Sequence, residues 1–234
     1  MVILSQPSTL SNERKFVGDM ADRAFVLGLL DAWLPRDRRH GGGRVNSVYF
    51  DTPGLRSWGE KANGDHLKRK VRARWYGRAG ELGKETPVFL ELKRRIGVAR
   101  EKVRVETKVS TDFLLRAPLS DPGWAGLFAG EAERLGEPVG PEWAPTCRIE
   151  YDRVRYDDPE SGSRVAVDWD IGAAPNGERF PWAGPVALEA LVCEFKNRGG
   201  DPPRWAEAMQ NAGLRLRSFS KYGECMNRIA NGVP

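Results

Sequence analysis

The 234 residues include 40% hydrophobic and 9% aromatic side chains, enough for a sizeable core and too many for a disordered chain. Lys and Arg number 37 against 32 Asp and Glu, a formal charge of +5 that excludes a polybasic, histone-like protein. The excess is local: residues 66–104 hold 13 basic and 4 acidic residues, net +9, so the rest sums to about −4 and one stretch points to a polyanionic partner.

In chain order, the start MVILSQPSTL lacks a cationic segment followed by an apolar run, so no secretory leader is expected and residues 1–11 read as a flexible terminus. A strand is predicted at about 12–18. A helix follows at 19–34, with Met20, Ala24, Leu27, Leu30 and Leu34 at helical spacing and Pro35 as its stop. Gly41-Gly42-Gly43 reads as a loop. Further strands are predicted at 44–51, 67–76, 87–95 and 100–107, with His66 at a strand entrance. The run Gly77 to Lys84 misses a phosphate-binding glycine loop by one residue, has Glu85 where Ser or Thr is needed, and reads as a hairpin turn. Residues 117–144, rich in Pro and Gly, form a helical insertion with one helix near 124–135. Strands at 146–156, 164–171 and 186–197 follow. Asp201-Pro202-Pro203 opens a helix to about 211, and a last helix spans about 220–230. No apolar run is long enough to span a membrane. Cys147, Cys193 and Cys225 lie far apart and read as buried free thiols of a cytoplasmic protein.

The strands alternate in an unusual way. Lys68, Lys70, Arg72 and Arg74 oppose Leu67, Val71, Ala73 and Trp75. Glu91, Lys93 and Arg95 oppose Leu90 and Leu92. Lys102, Arg104 and Glu106 oppose Val103 and Val105, and Glu194, Lys196 and Arg198 oppose Cys193 and Phe195. One explanation is a solvated sheet face over a core. Four like charges in a row make poor surface dressing, however. Carboxylates also recur two residues before lysines, at Glu13/Lys15, Glu91/Lys93 and Glu194/Lys196. That pattern suits a metal–phosphate site, the carboxylates holding a divalent cation and the cations holding phosphate oxygens. Eight antiparallel strands with these rows pointing inward would form a barrel with a basic lumen and an apolar outside carrying helices. Asp168 and Asp170 read first as strand-end turn residues, with support of a metal as the alternative. Nucleic acid is not expected, because the eight tryptophans fall in apolar phase or in helices and turns rather than on a stacking platform.

The ordered set Glu13-Arg14-Lys15-Phe16, Ser47–Thr52, Lys70–Gly77, Leu90–Lys93, Arg148–Arg153, Leu191–Lys196 and Ser218–Tyr222 resembles the VTC domain of polyphosphate polymerases, within the CYTH or triphosphate tunnel metalloenzyme superfamily. The resemblance implies one α+β domain over 1–234, an antiparallel eight-stranded tunnel barrel with flanking helices. It implies a protein that works on ATP and inorganic polyphosphate with manganese or magnesium. Arg72, Arg74, Lys93, Arg153, Lys196 and Lys221 match the family's catalytic phosphate contacts. Lys15, Lys70, Lys102, Arg104, Tyr151 and Ser220 fall where substrate phosphates bind, and Glu194, with Glu13 and Glu91, where the metal does. The triphosphatase branch opens with E-x-E-x-K, and Ser11 stands at the first position here, which favours the polymerase over a hydrolase. Ser218 stands where the polymerase branch often has lysine, which leaves a weakly active or polyphosphate-binding-only protein as one alternative; a triphosphatase acting on inorganic triphosphate or nucleotides is the other. Eukaryotic relatives sit in membrane complexes, so any membrane coupling here would need a separate partner.

Overall fold

A computed structural model describes residues 2–5, 12–62, 67–96, 99–136, 139–197 and 203–232. Ser11, His66, Arg198 and the Asp201-Pro202 helix start lie outside them. The strands are β1 (Val2–Ser5), β2 (Asn12–Asp19), β3 (Gly42–Asp51), β4 (Leu67–Tyr76), β5 (Glu85–Ile96), β6 (Ala99–Ser110), β7 (Ala144–Asp157), β8 (Arg164–Pro175), β9 (Val186–Leu188), β10 (Ala190–Asn197) and β11 (Arg215–Leu216). The helices are α1 (Arg23–Trp33), α2 (Arg56–Ala62), α3 (Thr111–Arg116), α4 (Gly123–Ala129), α5 (Ala132–Leu135), α6 (Arg204–Asn211) and α7 (Lys221–Asn231).

The fold is α+β: one antiparallel sheet in the order β1-β6-β5-β4-β3-β7-β8-β10-β2-β11, with β9 paired to β8 and helices around it. Several expectations are corrected. The sheet has eleven strands rather than eight, and no hydrogen-bonded pair closes it among the described residues, so β1 and β11 remain its edges. Residues 2–5, expected in a flexible terminus, pair with β6 from Val2↔Val105 to Ser5↔Lys102. The strand predicted at 186–197 is two strands, interrupted at Glu189. The long first helix starts as a 3-10 turn at Met20–Asp22, capped by Asp19, before α1. The insertion holds two short helices, α4 and α5, where one was expected, and α2 was not foreseen. The glycine-rich run before Lys84 is the β4–β5 connection, and Gly77 takes a φ of 108° that disfavours other residues there.

The convex face is apolar. Val71, Ala73, Trp75, Leu90, Leu92, Val103 and Val105 pack under α3, α4 and α5 through Leu114, Trp124, Phe128 and Leu135. Phe16, Val154, Val165, Val167, Cys193 and Phe195 pack under α1 and α6 through Val26, Leu30, Trp205 and Met209. The concave face holds a third cluster. Tyr222, Cys225, Met226 and Ile229, spaced along one side of α7, cover Val45, Tyr49, Cys147, Ile149 and Ile171. The concave side is therefore partly filled by a helix, and only the rest of it is left for charge.

Candidate functional site

Register defines that remaining surface. Arg72 pairs with Tyr49 on β3 and Glu91 on β5, and Glu91 pairs with Arg104 on β6. Lys70 pairs with Lys93, and Lys93 with Lys102. Across the sheet, Arg153 pairs with Asp168, Glu194 with Lys15, and Lys196 with Glu13. Directly opposed residues share a face, so these side chains line one continuous surface. The surface curves back on itself. Lys70 on β4 donates to Ser220 Oγ and Lys15 on β2 to the carbonyl of the adjoining Phe219, each at 2.9 Å, although β3, β7, β8 and β10 separate those strands along the sheet.

Glu91 is the centre of one cluster. It is buried, its Oε2 accepts from Arg72 Nε at 2.6 Å, and its Oε1 pairs with Lys102 Nζ at 2.6 Å. Arg104 Nε lies 3.7 Å from the same Oε1, and Arg72 also donates to Tyr49 Oη at 3.1 Å. Burial alone would raise the Glu91 pKa, but Arg72, Arg74, Lys102 and Lys93 outweigh it and hold the carboxyl far below its usual range. Lys93 has the reverse balance. The charge of Arg72, then burial, then Lys102 and Arg74 depress its pKa well below the ordinary value, against the opposing pull of Glu91. Arg74 is buried and donates from Nε to Ser47 Oγ at 3.0 Å.

Asp168 is the centre of the second cluster. It is fully buried, receives Arg153 at 2.5 and 2.7 Å, and receives Lys221 Nζ at 2.5 Å. Both cations also lie over the Tyr151 ring, at 5.3 and 4.7 Å from its centroid. A bulge places Asp168 there. Between Glu150 and Asp152 of β7 the register slips on β8 from Gly172 to Trp169, and Asp170 takes a φ of 50°. The slip reverses the side-chain phase, so Asp168 points to the concave face while Asp170 is exposed and held by Arg44 at 2.6 Å.

The third cluster is a carboxylate–lysine quartet. Lys15 Nζ lies 3.1 Å from Glu13 and 3.6 Å from Glu194; Lys196 lies 3.7 and 3.8 Å from the same two groups. Burial opposes ionisation of Glu13, but Lys15 and Lys196 prevail and bring its pKa down to about 2. The N-terminus of α7 joins the clusters. Ser220 is the N-cap, accepting from Gly223 N at 3.3 Å, and its Oγ also accepts from Lys70 Nζ at 2.9 Å. Lys15 donates to the carbonyl of Phe219 at 2.9 Å.

Every residue expected to contact phosphate therefore lies on the same curved surface or at the α7 N-terminus. The three expected metal ligands do not come together. Glu13 and Glu194 share their lysines, whereas both Glu91 oxygens are taken by Arg72 and Lys102. No group of three or more His, Cys, Asp or Glu suited to a metal occurs among the described residues. Two adjacent carboxylates still fit magnesium or manganese, which commonly takes one or two carboxylates together with substrate phosphates. Sequence reasoning undervalued Asp168. It also missed Asp51, whose buried carboxylate accepts from Ser57 N, Trp58 N and Tyr222 Oη and so ties α2 to α7. The three cysteines are buried free thiols, as expected.

A family model described as the VTC domain matches residues 10–230. The chain belongs to the VTC domain family. The match takes in all three clusters of this VTC domain, from Glu13 to Lys221. The solved structures it is similar to include two proteins each called a "putative adenylate cyclase". One, from Bacillus halodurans, is 11% identical with a TM-score of 0.49, over 90% of this chain and 94% of that one. The other, from Vibrio parahaemolyticus, is 11% identical with a TM-score of 0.46, over 94% of this chain and 99% of that one. No curated protein matches. Among the described residues of this VTC domain, no helix is long and apolar enough to cross a membrane.

Proposed function

We propose that this VTC domain binds the triphosphate of ATP on its concave basic surface and transfers the γ-phosphoryl group to the end of an inorganic polyphosphate chain. The observation that carries the reading is the surplus of cations over carboxylates on one curved surface, with Lys93 pressed by its neighbours toward losing its proton. Such a surface is electrostatically incomplete until a polyanion enters.

The residues have separable parts in this reading. Arg72 and Arg153 are held rigid by Glu91 and Asp168 and present oriented guanidinium forks to phosphate oxygens. Lys93, Lys70 and Lys221 act as point charges. The first turn of α7 adds backbone N–H groups at the dipole-positive end of the helix. Phosphoryl transfer asks a protein mainly for positioning and charge neutralisation, which these groups supply. Glu13 and Glu194 would hold a divalent cation, which when bound neutralises the phosphates further. The attacking group is the terminal phosphate of the chain. It is already anionic, so a strong general base is not required of the protein. Lys15 and Lys196 bind and orient it beside Lys221.

Incubation with ATP and manganese tests the reading. Long-chain polyphosphate together with ADP is expected. Release of orthophosphate without chains would overturn the polymerase in favour of a triphosphatase, and tight polyphosphate binding without turnover would favour a binding module. Nucleic acid is expected to compete poorly, so RNA displacing polyphosphate at moderate salt would count against the thin-polyanion reading.

A further inference from the structure

The concave surface is not uniform along its strands. Lys70, Lys93 and Lys102 lie side by side across β4, β5 and β6. Two residues along, the line is Arg72, Glu91 and Arg104. Two further, Arg74 stands opposite Phe89. The Phe89 ring packs edge-on against Tyr76, at 5.9 Å between centroids. The guanidinium of Arg104 lies 3.7 Å from the Phe89 centroid, and that of Arg155 lies 5.8 Å from the Tyr76 centroid. Along β4, β5 and β6 the surface thus passes from ammonium groups at the α7 end to edge-packed rings and guanidiniums at the other.

We propose that Phe89 and Tyr76, with Arg104 and Arg155, form the subsite for the base of a nucleoside triphosphate, and so fix the direction in which the substrate lies. The inference rests on the triphosphate reading above and adds what that reading lacks, a reason to prefer a nucleotide over inorganic triphosphate. Three observations carry it. First, aromatic rings and guanidinium planes are the groups on which bases stack, and Phe89 and Tyr76 with their two arginines form such a group that, unlike the buried Tyr49 and Tyr151, is partly exposed. Second, all four side chains are only partly buried, so an incoming ring can reach them. Third, the length fits. Four residues of β5 separate Phe89 from Lys93, about 13 Å on an extended strand, roughly the reach of a nucleoside triphosphate from its base to its γ-phosphate. A base at Phe89 places the terminal phosphate near Lys93, Lys70 and the Ser220–Lys221 helix start.

Calorimetric titration of the whole chain with ATP, inorganic triphosphate and ribose 5-triphosphate tests this. The wild type is expected to bind ATP about tenfold or more tightly than ribose 5-triphosphate, the size of one base-stacking contact. Phe89→Leu keeps the apolar volume and removes the π-face. It is expected to erase most of that preference while leaving inorganic triphosphate affinity within about twofold, which also verifies that the variant folds. Equal wild-type affinity for ATP and ribose 5-triphosphate would overturn the base subsite whatever the variant does. An equal loss for all three ligands in Phe89→Leu would overturn it too. Either result leaves the basic surface standing as long as the wild type binds inorganic triphosphate. Failure of the wild type to bind any of the three would remove the proposed function and this inference together.

Discussion

At the scale of single residues, the carboxylates on the concave surface differ in kind. Asp168 is fully buried and holds two cations, so Asp168→Asn leaves Arg153 and Lys221 in a poorly solvated site without their counter-charge. Removing one partner of a buried ion pair costs about 3–5 kcal/mol, and a loss of that order is expected in the urea midpoint. Glu194 is partly exposed beside Lys15 and Lys196, at ion-pair distances of 3.6 and 3.8 Å. Glu194→Gln is expected to change stability by at most about 1 kcal/mol, while abolishing turnover and sparing polyphosphate binding. Glu13 supplies a pH signature. Its carboxyl titrates near 4.5 in the unfolded chain and about 2 in the fold. Its contribution to stability is therefore complete above pH 4.5 and disappears as pH falls toward 2. Glu13→Gln should flatten that part of the acid-unfolding profile, measured by far-ultraviolet circular dichroism from pH 6 to 2.

At the scale of elements, the strand alternation made the charged surface legible. From Lys70 to Trp75 the strand alternates, and Lys70, Arg72 and Arg74 lie on the concave side opposite a buried Val71, Ala73 and Trp75. β8 shows the limit of that logic. Asp168 and Asp170 share a phase in the sequence, yet the bulge between them sends one into the site and the other to solvent. A bulge is set by how two strands fit against each other, and period-two reading along one strand does not register it. α7 shows a similar limit. Its N-cap was readable from Ser220, but its docking inside the curved sheet, through Tyr222 to Asp51 at 2.8 Å, depends on residues 171 positions apart. Ser220→Ala removes a cap and the acceptor of Lys70. It is expected to lower stability by about 1 kcal/mol and to weaken triphosphate binding as well, a pairing that a plain cap would not give.

At the scale of the molecule, the ligand-free surface holds like charges together at Lys93, between Lys70 and Lys102. Lys93 carries a pKa depressed first by Arg72 and then by burial, so its charged form is disfavoured in the fold relative to the unfolded chain. That penalty applies below the ordinary lysine value of 10.5 and vanishes above it. Lys93→Met is expected to stabilise the free protein at neutral pH by about 1 kcal/mol, within the range of common stabilising changes, and to weaken anion binding. In the wild type the anion itself should relieve the strain. Inorganic triphosphate at a hundredfold excess over its Kd should add about 2.7 kcal/mol. At about 2–4 °C per kcal/mol for a chain of this size, melting should rise by roughly 5–10 °C at constant ionic strength. An unchanged melting temperature would falsify the concave anion site.

The amino-acid sequence by itself determined the strand alternation, the charged rows, the last helix with its cap, and the motifs that place the chain among VTC domains. Those are local properties, set by side-chain periodicity and neighbour chemistry within a few residues. Tertiary structure alone decided that the described residues form an eleven-stranded sheet with open edges, that α7 occupies part of its concave side, and that Asp168 clamps two cations there. It also decided that Glu91 serves Arg72 and Lys102 rather than standing with Glu13 and Glu194. These depend on register, bulges and curvature, which arise only when distant strands meet, because the same alternating strand fits a flat sheet, a trough or a closed barrel equally well.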